Sequence, residues 1–221
     1  MKRVSFLIGI LLIGLFIVSN FVTTAGNLSI AEKYAAGDKL TAEEQTGIYG
    51  FDKAHSTIGF RAKHYGLVEV PGYFRDFTGT VKFDGKDVAK STVEFAAKME
   101  SVDTGVAGRD KHLKNADFFE VEKYPEMTFK STKVEKKGKN WMVTGDLMMK
   151  GVTKQIMFPI TVAGFVKTER GPKMGATAET TINRRDFGVN YDSKLPGGTA
   201  AVSDEIKVIL NIEGNMQKAA Q

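Results

Sequence analysis

From Ile48 onward, apolar residues recur at every second position, and no other feature of the chain restricts its fold as tightly. Ile58, Phe60, Ala62 and His64 share one parity, as do Phe77, Gly79, Val81 and Phe83, then Val93, Phe95, Ala97 and Met99. Trp141, Val143, Gly145, Leu147 and Met149 form a further run, followed by Ile156, Phe158, Ile160 and Val162, and by Ile206, Val208, Leu210 and Ile212. Successive side chains of a strand point to opposite faces, so each run reads as a strand with one buried face. Turn chemistry separates the runs at Asp84-Gly85, Lys137-Gly138, Lys150-Gly151, Arg170-Gly171-Pro172 and Pro196-Gly197-Gly198.

One stretch, Gly108 to Ala116, lacks both alternation and β-branched residues and predicts a short helix near residues 107–116. Many long antiparallel strands with a single helical break predict an all-β fold, an up-and-down antiparallel barrel of about eight strands. A barrel of that size has an interior just wide enough for side chains or one small ligand. Gly59, Gly79, Ala97, Gly145 and Gly164 lie on or near the inward faces, among Phe77, Val81, Phe95 and Leu147. Small residues there either keep the interior hollow or serve only to let the sheet curl. On the hollow reading, Gly145→Leu blocks ligand uptake at little cost in stability, unless close backbone contact forbids a side chain there.

The 221 residues are 42% hydrophobic and 26% charged, an ordinary globular composition. There is no cysteine, which removes disulfides, thiolate catalysis and cysteine metal sites. The formal net charge is +5; Lys2 and Arg3 supply two of these charges, and the remaining +3 is too balanced for a nucleic-acid-binding face. The densest basic run, Lys133 to Lys139, reads as a solvated hairpin turn between two strands.

Lys2 and Arg3 precede an apolar run from Val4 to Val18, and the small residues Thr23, Thr24, Ala25 and Gly26 follow. This is the pattern of a secretory signal peptide over residues 1–25, with cleavage expected after Ala25. The competing reading is an uncleaved anchor, since Val4 to Val22 approaches the length of a membrane span. Either way the rest of the chain is expected outside the cytoplasm, periplasmic or extracellular. Residues 26–47 are charged and weakly apolar and read as a flexible leader, residues 48–214 as the barrel domain, and 215–221 as a C-terminal tail.

His64 lies on the inward parity of its run and is a candidate for contact with a ligand head group or for a hydrogen-bonded core position. Arg75 is placed near a strand start, at a rim. Arg109, at the start of the helical break, either faces an anionic head group, which its fork suits, or joins Asp110 in an ion pair that pins the helix. Phe77, Phe95, Phe118, Phe119, Trp141, Gly145, Leu147, Met149 and Phe158 are candidate wall residues. The three histidines have no metal-ligand spacing, so no metal is expected. No nucleophile elbow, P-loop or carboxylate on an apolar face is present, and no catalytic residue is assigned.

An ordered series of short motifs also runs through the chain: Gly72-Tyr-Phe-Arg-Asp-Phe-Thr-Gly79, Ser101-Val-Asp-Thr104, Arg109-Asp110, Asp117-Phe118-Phe119 and Tyr124-Pro125. Phe129-Lys-Ser131, Gly145-Asp-Leu147, Gly151-Val-Thr-Lys154, Arg185-Asp-Phe-Gly188 and Val202-Ser-Asp-Glu205 complete it. From Ile48 to Glu213 the chain resembles the YceI family of exported, lipocalin-like proteins, with Tyr49 or Phe51 in place of the family's usual tryptophan. The resemblance implies a barrel whose tunnel holds a polyisoprenoid, a prenyl diphosphate, a quinone or a related lipid, with no cofactor beyond that lipid and no catalytic residues. A carrier or reservoir is the expected role; a redox accessory protein or enzyme acting on such a lipid is the alternative. Membrane contact is expected only through an uncleaved N-terminal segment, and homodimerisation is left open.

Overall fold

The computed structural model describes residues 39–138 and 140–218. Eleven strands are assigned in chain order: β1 (Gly47–Phe51), β2 (Thr57–His64), β3 (Val68–Phe74), β4 (Phe77–Phe83), β5 (Thr92–Lys98), β6 (Val102–Asp103), β7 (Glu126–Lys137), β8 (Asn140–Met149), β9 (Val152–Thr168), β10 (Gly171–Asn183) and β11 (Val202–Met216). Two helices accompany them, α1 (Ala42–Gln45) and α2 (Ala107–Lys114). All strand pairs are antiparallel, in the order β1-β4-β5-β7-β8-β9-β10-β11, and β11 returns to β1. β2 pairs with the other half of β11, so β1 and β2 lie end to end along it. β3 continues into β4 and β5 into β6 in the same way. The eleven strands are therefore eight staves of a closed barrel, as the alternation predicts.

Each break in a stave leaves ladder groups without partners, and serine hydroxyls replace them. Where β1 ends and β2 begins, Ser56 Oγ donates to the Glu213 carbonyl at 3.1 Å and accepts from the Glu213 amide at 3.0 Å. Ser101 Oγ accepts from the Asp76 amide and donates to the Lys98 carbonyl. Ser131 Oγ accepts from the Val93 amide at a bulge in β7. Ser203 Oγ accepts from the Lys63 amide at the irregularity between β11 and β2.

The inward parity holds the core: Ile58, Phe74, Phe77, Ala97, Met127, Phe129, Val143, Leu147, Met149 and Phe158 are all buried. The inward glycines are not voids. A Cβ on Gly145 would lie 2.5 Å from both the Lys130 carbonyl oxygen and the Phe129 ring. Gly79 lies under Phe51 and Gly72 under Phe60 in the same manner. Each glycine is the floor for an aromatic ring, so the expectation that Gly145 faces empty space is corrected. Gly164 is corrected for another reason: it sits at a bulge opposite Gly175 and Ala176, which shifts the register and turns Phe165 inward.

One end of the barrel is plugged. Tyr49, Val81, Phe83 and Met174 form a second buried cluster with Trp141 and Phe165 packed on it. Phe83 stacks on Trp141 at 5.2 Å and meets Phe165 at 4.8 Å. Tyr49 donates its hydroxyl to the Gln45 carbonyl at 2.7 Å, which holds α1 across this end. α1 opens on a capping box, with Thr41 and Glu44 each bonding the other's backbone amide. Leu40 is buried as well. The flexible leader expected through residue 47 thus does not extend over its last part; residues 1–38 lie outside the described residues, and with them the expected signal peptide. The C-terminal tail also begins later than expected, because β11 runs to Met216 and the Gln217 amide donates to the Ile48 carbonyl.

Two predictions come from this packing. Gly145→Ala is expected to lower stability by about 1–3 kcal/mol through overpacking against fixed backbone, read as a lower urea midpoint with unchanged slope; an unchanged midpoint contradicts it. Burial pushes the Tyr49 phenol from 10.0 up to about 12. The fold favours the protonated phenol, so its contribution is intact below the unfolded value and is lost as pH rises from about 10 to 12. The melting temperature should fall across that window, and Tyr49→Phe should flatten the fall.

Candidate ligand cavity

Above the plug the barrel is not filled. A cavity of about 110 Å³ is walled by Ile58 and Phe60 of β2, Phe74 of β3, Phe95 of β5, Met127 and Phe129 of β7, Leu147 and Met149 of β8, Ile156 and Phe158 of β9, Ala178 and Ile182 of β10, and Val208 and Leu210 of β11. A smaller space of about 30 Å³ continues it toward the plug. The two share Ile58, Phe95, Phe129, Phe158, Ala178 and Leu210 as a common ring. At the opposite end an open mouth of about 290 Å³ is bordered by Lys63, His64, Tyr65, Thr104, Arg109, His112, Tyr191 and Ser193. Phe60, Ala62, Leu113, Phe118 and Val202 stand between mouth and cavity. The three spaces thus follow one another along the barrel axis, polar at the mouth and mostly hydrocarbon within.

α2 lies at the mouth and projects Leu113 toward the cavity. It is tethered through Thr104: Arg109 Nε donates to Thr104 Oγ1 at 2.7 Å and Arg109 Nη2 to the Thr104 carbonyl at 2.8 Å, while the Asp110 carboxylate accepts from the Thr104 amide and hydroxyl. The expected Arg109–Asp110 ion pair is therefore replaced by convergence of both side chains on one threonine. Lys114 pairs with Glu100, and Lys150 donates to the Ala116 carbonyl. His112 sits edge-on to Phe118 and Tyr191 at 5.1 and 5.2 Å, with Nε2 at 2.8 Å from the Asp117 carboxylate. A helix held by side chains at its rim needs only one inward apolar residue, which is why it carries no apolar stripe.

Of the residues singled out from sequence, Phe95, Phe118, Phe119, Leu147, Met149 and Phe158 line the cavity, and His64 and Arg109 border its mouth. His64 is exposed and packs on Tyr65 at 4.1 Å rather than pointing into the core. Four others lie elsewhere. Arg75 is on the outer surface, paired with Asp103 at 2.8 Å and stacked over Tyr73. Phe77 is buried in the wall, Trp141 belongs beside the plug, and Gly145 is covered by Phe129.

Sequence reasoning missed Arg184. Its side chain is only 4% exposed yet forms part of the cavity wall. Nε donates to the Ser203 carbonyl at 3.0 Å, Nη1 to the Val189 carbonyl at 2.6 Å and Nη2 to Asp204 at 2.8 Å. Asp204 also accepts from Arg185, which bonds Asp192 in turn. Asp192 also pairs with Lys194, and the buried Arg184 guanidinium is compensated by Asp204, so the cavity wall gains no uncompensated charge. A second cluster on the outer surface, Asp52, His55 and Glu213, has metal-ligand atoms within 4.8 Å of one another. Lys173 already bridges both carboxylates, at 2.5 Å from Glu213 and 3.5 Å from Asp52, and occupies the role a cation would take.

A closed eight-stranded barrel with an apolar interior and a polar mouth defines the lipocalin-like class of small-molecule-binding barrels. The YceI-like domain model matches residues 49–214, and the chain belongs to that family. Protein YceI of Escherichia coli is 37% identical over 188 residues, covering 84% of this chain and 93% of that one. A UPF0312 protein of Pectobacterium atrosepticum is 38% identical over 187 residues, covering 83% and 92%. Among solved structures, BcnA of Burkholderia cenocepacia superposes with a TM-score of 0.66 at 25% identity, over 75% of this chain and 99% of that one. The Campylobacter jejuni YceI protein gives 0.61 at 33%, over 76% and 96%. A polyisoprenoid-binding domain from Saccharophagus degradans shares the fold at 15% identity, with a TM-score of 0.56 over 76% and 98%.

Arg184→Met should free two buried carbonyls and remove a charge-assisted bond to Asp204. A loss of about 2 kcal/mol is expected, together with faster proteolysis in the 189–201 loop; a variant as stable and as resistant as the parent contradicts this role.

Proposed function

We propose that this protein is an exported carrier or reservoir for a long-chain amphiphile of the isoprenoid type, held tail-inward in the barrel. The observation that carries this reading is the axial sequence of mouth, cavity and inner space, with a mostly hydrocarbon wall inside, interrupted by Thr177, Thr180 and the ion-paired Arg184, and with charged and hydroxyl side chains gathered at the mouth. Each buried methylene contributes about 0.8 kcal/mol, and association costs on the order of 4–15 kcal/mol, so a chain of a few isoprene units is enough for net binding. The Saccharophagus degradans domain is described as polyisoprenoid-binding, which agrees with a branched, flexible tail. Phe118 stands where mouth and cavity meet, and Phe129 and Phe158 where the cavity meets the inner space. Threading a long tail requires these rings and the unbranched Met127 and Met149 to change rotamer. The role is physical and uses no reacting group. The charged start, apolar run and small exit residues of the N-terminal segment support export.

Mass spectrometry of an organic extract of the purified protein tests this directly. A stoichiometric lipid with a long apolar tail is expected; its absence from protein purified without detergent contradicts the reading. Ala178 borders both the main cavity and the inner space. Ala178→Phe should fill that junction and abolish the load while leaving the melting temperature of the empty protein unchanged or raised. A variant that carries lipid like the parent contradicts the site.

A further inference from the structure

Of the seven large apolar residues exposed among the described residues, Ile48, Met157 and Val166 are spread over the barrel and four lie around the mouth. Leu67 is 81% exposed, Val68 59%, Val106 51% and Leu195 43%. Leu67 and Val68 sit at the β2–β3 turn, next to the mouth residues His64 and Tyr65. Val106 lies between Thr104 and Arg109, and Leu195 is two residues from Ser193, all three of which border the mouth. Hydrogen bonds join two of these tips, since the Tyr65 amide donates to the Ala201 carbonyl and the Ala201 amide to the Ser193 carbonyl. Three separate loops thus carry apolar side chains around one opening. The β2–β3 turn places Tyr65 and Gly66 at φ of 49° and 72°; this tight geometry holds Leu67 out in solvent rather than folded back on the barrel.

The two charged side chains that border the mouth, Lys63 and Arg109, are both cations. Lys63, Arg109 and Lys111 form no ion pair among the described residues. Among the neighbouring acids, Glu69 is paired with Arg61 and Lys207 and Asp192 with Arg185 and Lys194, while Asp110 and Asp117 are held by hydrogen bonds with Thr104 and His112. Apolar tips beside the cations Lys63, Arg109 and Lys111 match a bilayer surface carrying anionic headgroups, where side chains enter the acyl boundary and Lys and Arg meet phosphates.

We propose that the mouth rim docks on an anionic lipid bilayer through Leu67, Val68, Val106 and Leu195, so that a tail passes between membrane and barrel without crossing water. This rests on the carrier reading above, which supplies the cargo.

The chain lacks cysteine, so a single introduced thiol reports one position. An environment-sensitive fluorophore is attached to Leu67→Cys, Val106→Cys or Leu195→Cys, and to Met157→Cys on the outer wall as the control. Protein expressed from the full chain is mixed with vesicles of phosphatidylethanolamine containing phosphatidylglycerol. Blue-shifted emission is expected at the three rim positions and not at Met157, weakening as salt is raised. Attachment to vesicles with no shift at the rim, or with an equal shift at Met157, overturns the proposal and leaves the N-terminal segment as the membrane contact. The triple variant Leu67→Asp, Val106→Asp, Leu195→Asp should keep its lipid load yet deliver it to vesicles on the order of tenfold more slowly; delivery at the parent's rate overturns docking. Rim shifts in a protein whose extract holds no lipid would sustain docking and remove the carrier role.

Discussion

The seam between β11 and the first stave is the interaction on which everything else depends. β11 holds β2 along one half and β1 along the other, and this pairing turns an eight-stave meander into a tube without edges. A closed tube has an inside, and only then does alternation separate a lining from a solvated wall. The seam is also where the chain is most irregular, because β1 leaves β11 at Asp52 and β2 rejoins it at Thr57. Ser56 spans that gap by bonding both backbone groups of Glu213. The Glu213 carbonyl also accepts from the Asp52 amide, so it is the Glu213 amide that the kink would otherwise leave unsatisfied, and the Ser56 hydroxyl supplies its partner.

Within the tube, filling is graded. Toward the α1 end, Tyr49, Phe83, Phe165, Met174 and Trp141 pack solidly, and rings laid over Gly79 and Gly145 continue this solid wall. Toward the α2 end the same parity is occupied by Ala178, Thr180 and Ala62, and space opens. The mouth is then finished by side-chain tethers, with Arg109 and Asp110 on Thr104, and with Arg184 on Val189 and Ser203. The result is a rigid, closed base and a mouth whose covering helix is attached by a small number of polar contacts.

Much of this was legible in the residues, and the misses have physical causes. Six of the eight staves show in the alternation. β10 does not stand out because its inward residues include Ala176, Ala178 and Thr180, small or polar side chains that a hydrophobic pattern passes over. β7 is hidden by the bulge after Ser131, which moves the buried parity from Phe129 to Val134. The short helix is found where apolar periodicity fails, and the wall residues Phe95, Phe118, Phe119, Leu147, Met149 and Phe158 follow from parity or from the helical break. Parity names a face but not the depth along it, so Trp141 falls beside the plug, Arg75 outside, and Gly145 under a ring. Arg184 reads as one charge in an Arg-Arg-Asp surface cluster; only pairing of β10 with β11 brings Ser203 and Asp204 to it. α1 was missed, because its Thr41-x-x-Glu44 capping box lies in a charged, weakly apolar stretch that reads as a flexible leader.

The central claim is that an amphiphile enters tail-first and reaches down to the aromatic plug. Trp141 is the chain's single tryptophan, and it packs between the main core and that plug. Delipidated protein titrated with long-chain amphiphiles brominated near the tail end or near the head group should therefore distinguish orientations through Trp141 fluorescence. The account predicts strong, saturable quenching by tail-brominated chains and little by head-brominated ones. Equal quenching by both, stronger quenching by the head-brominated chain, or none by either, contradicts it.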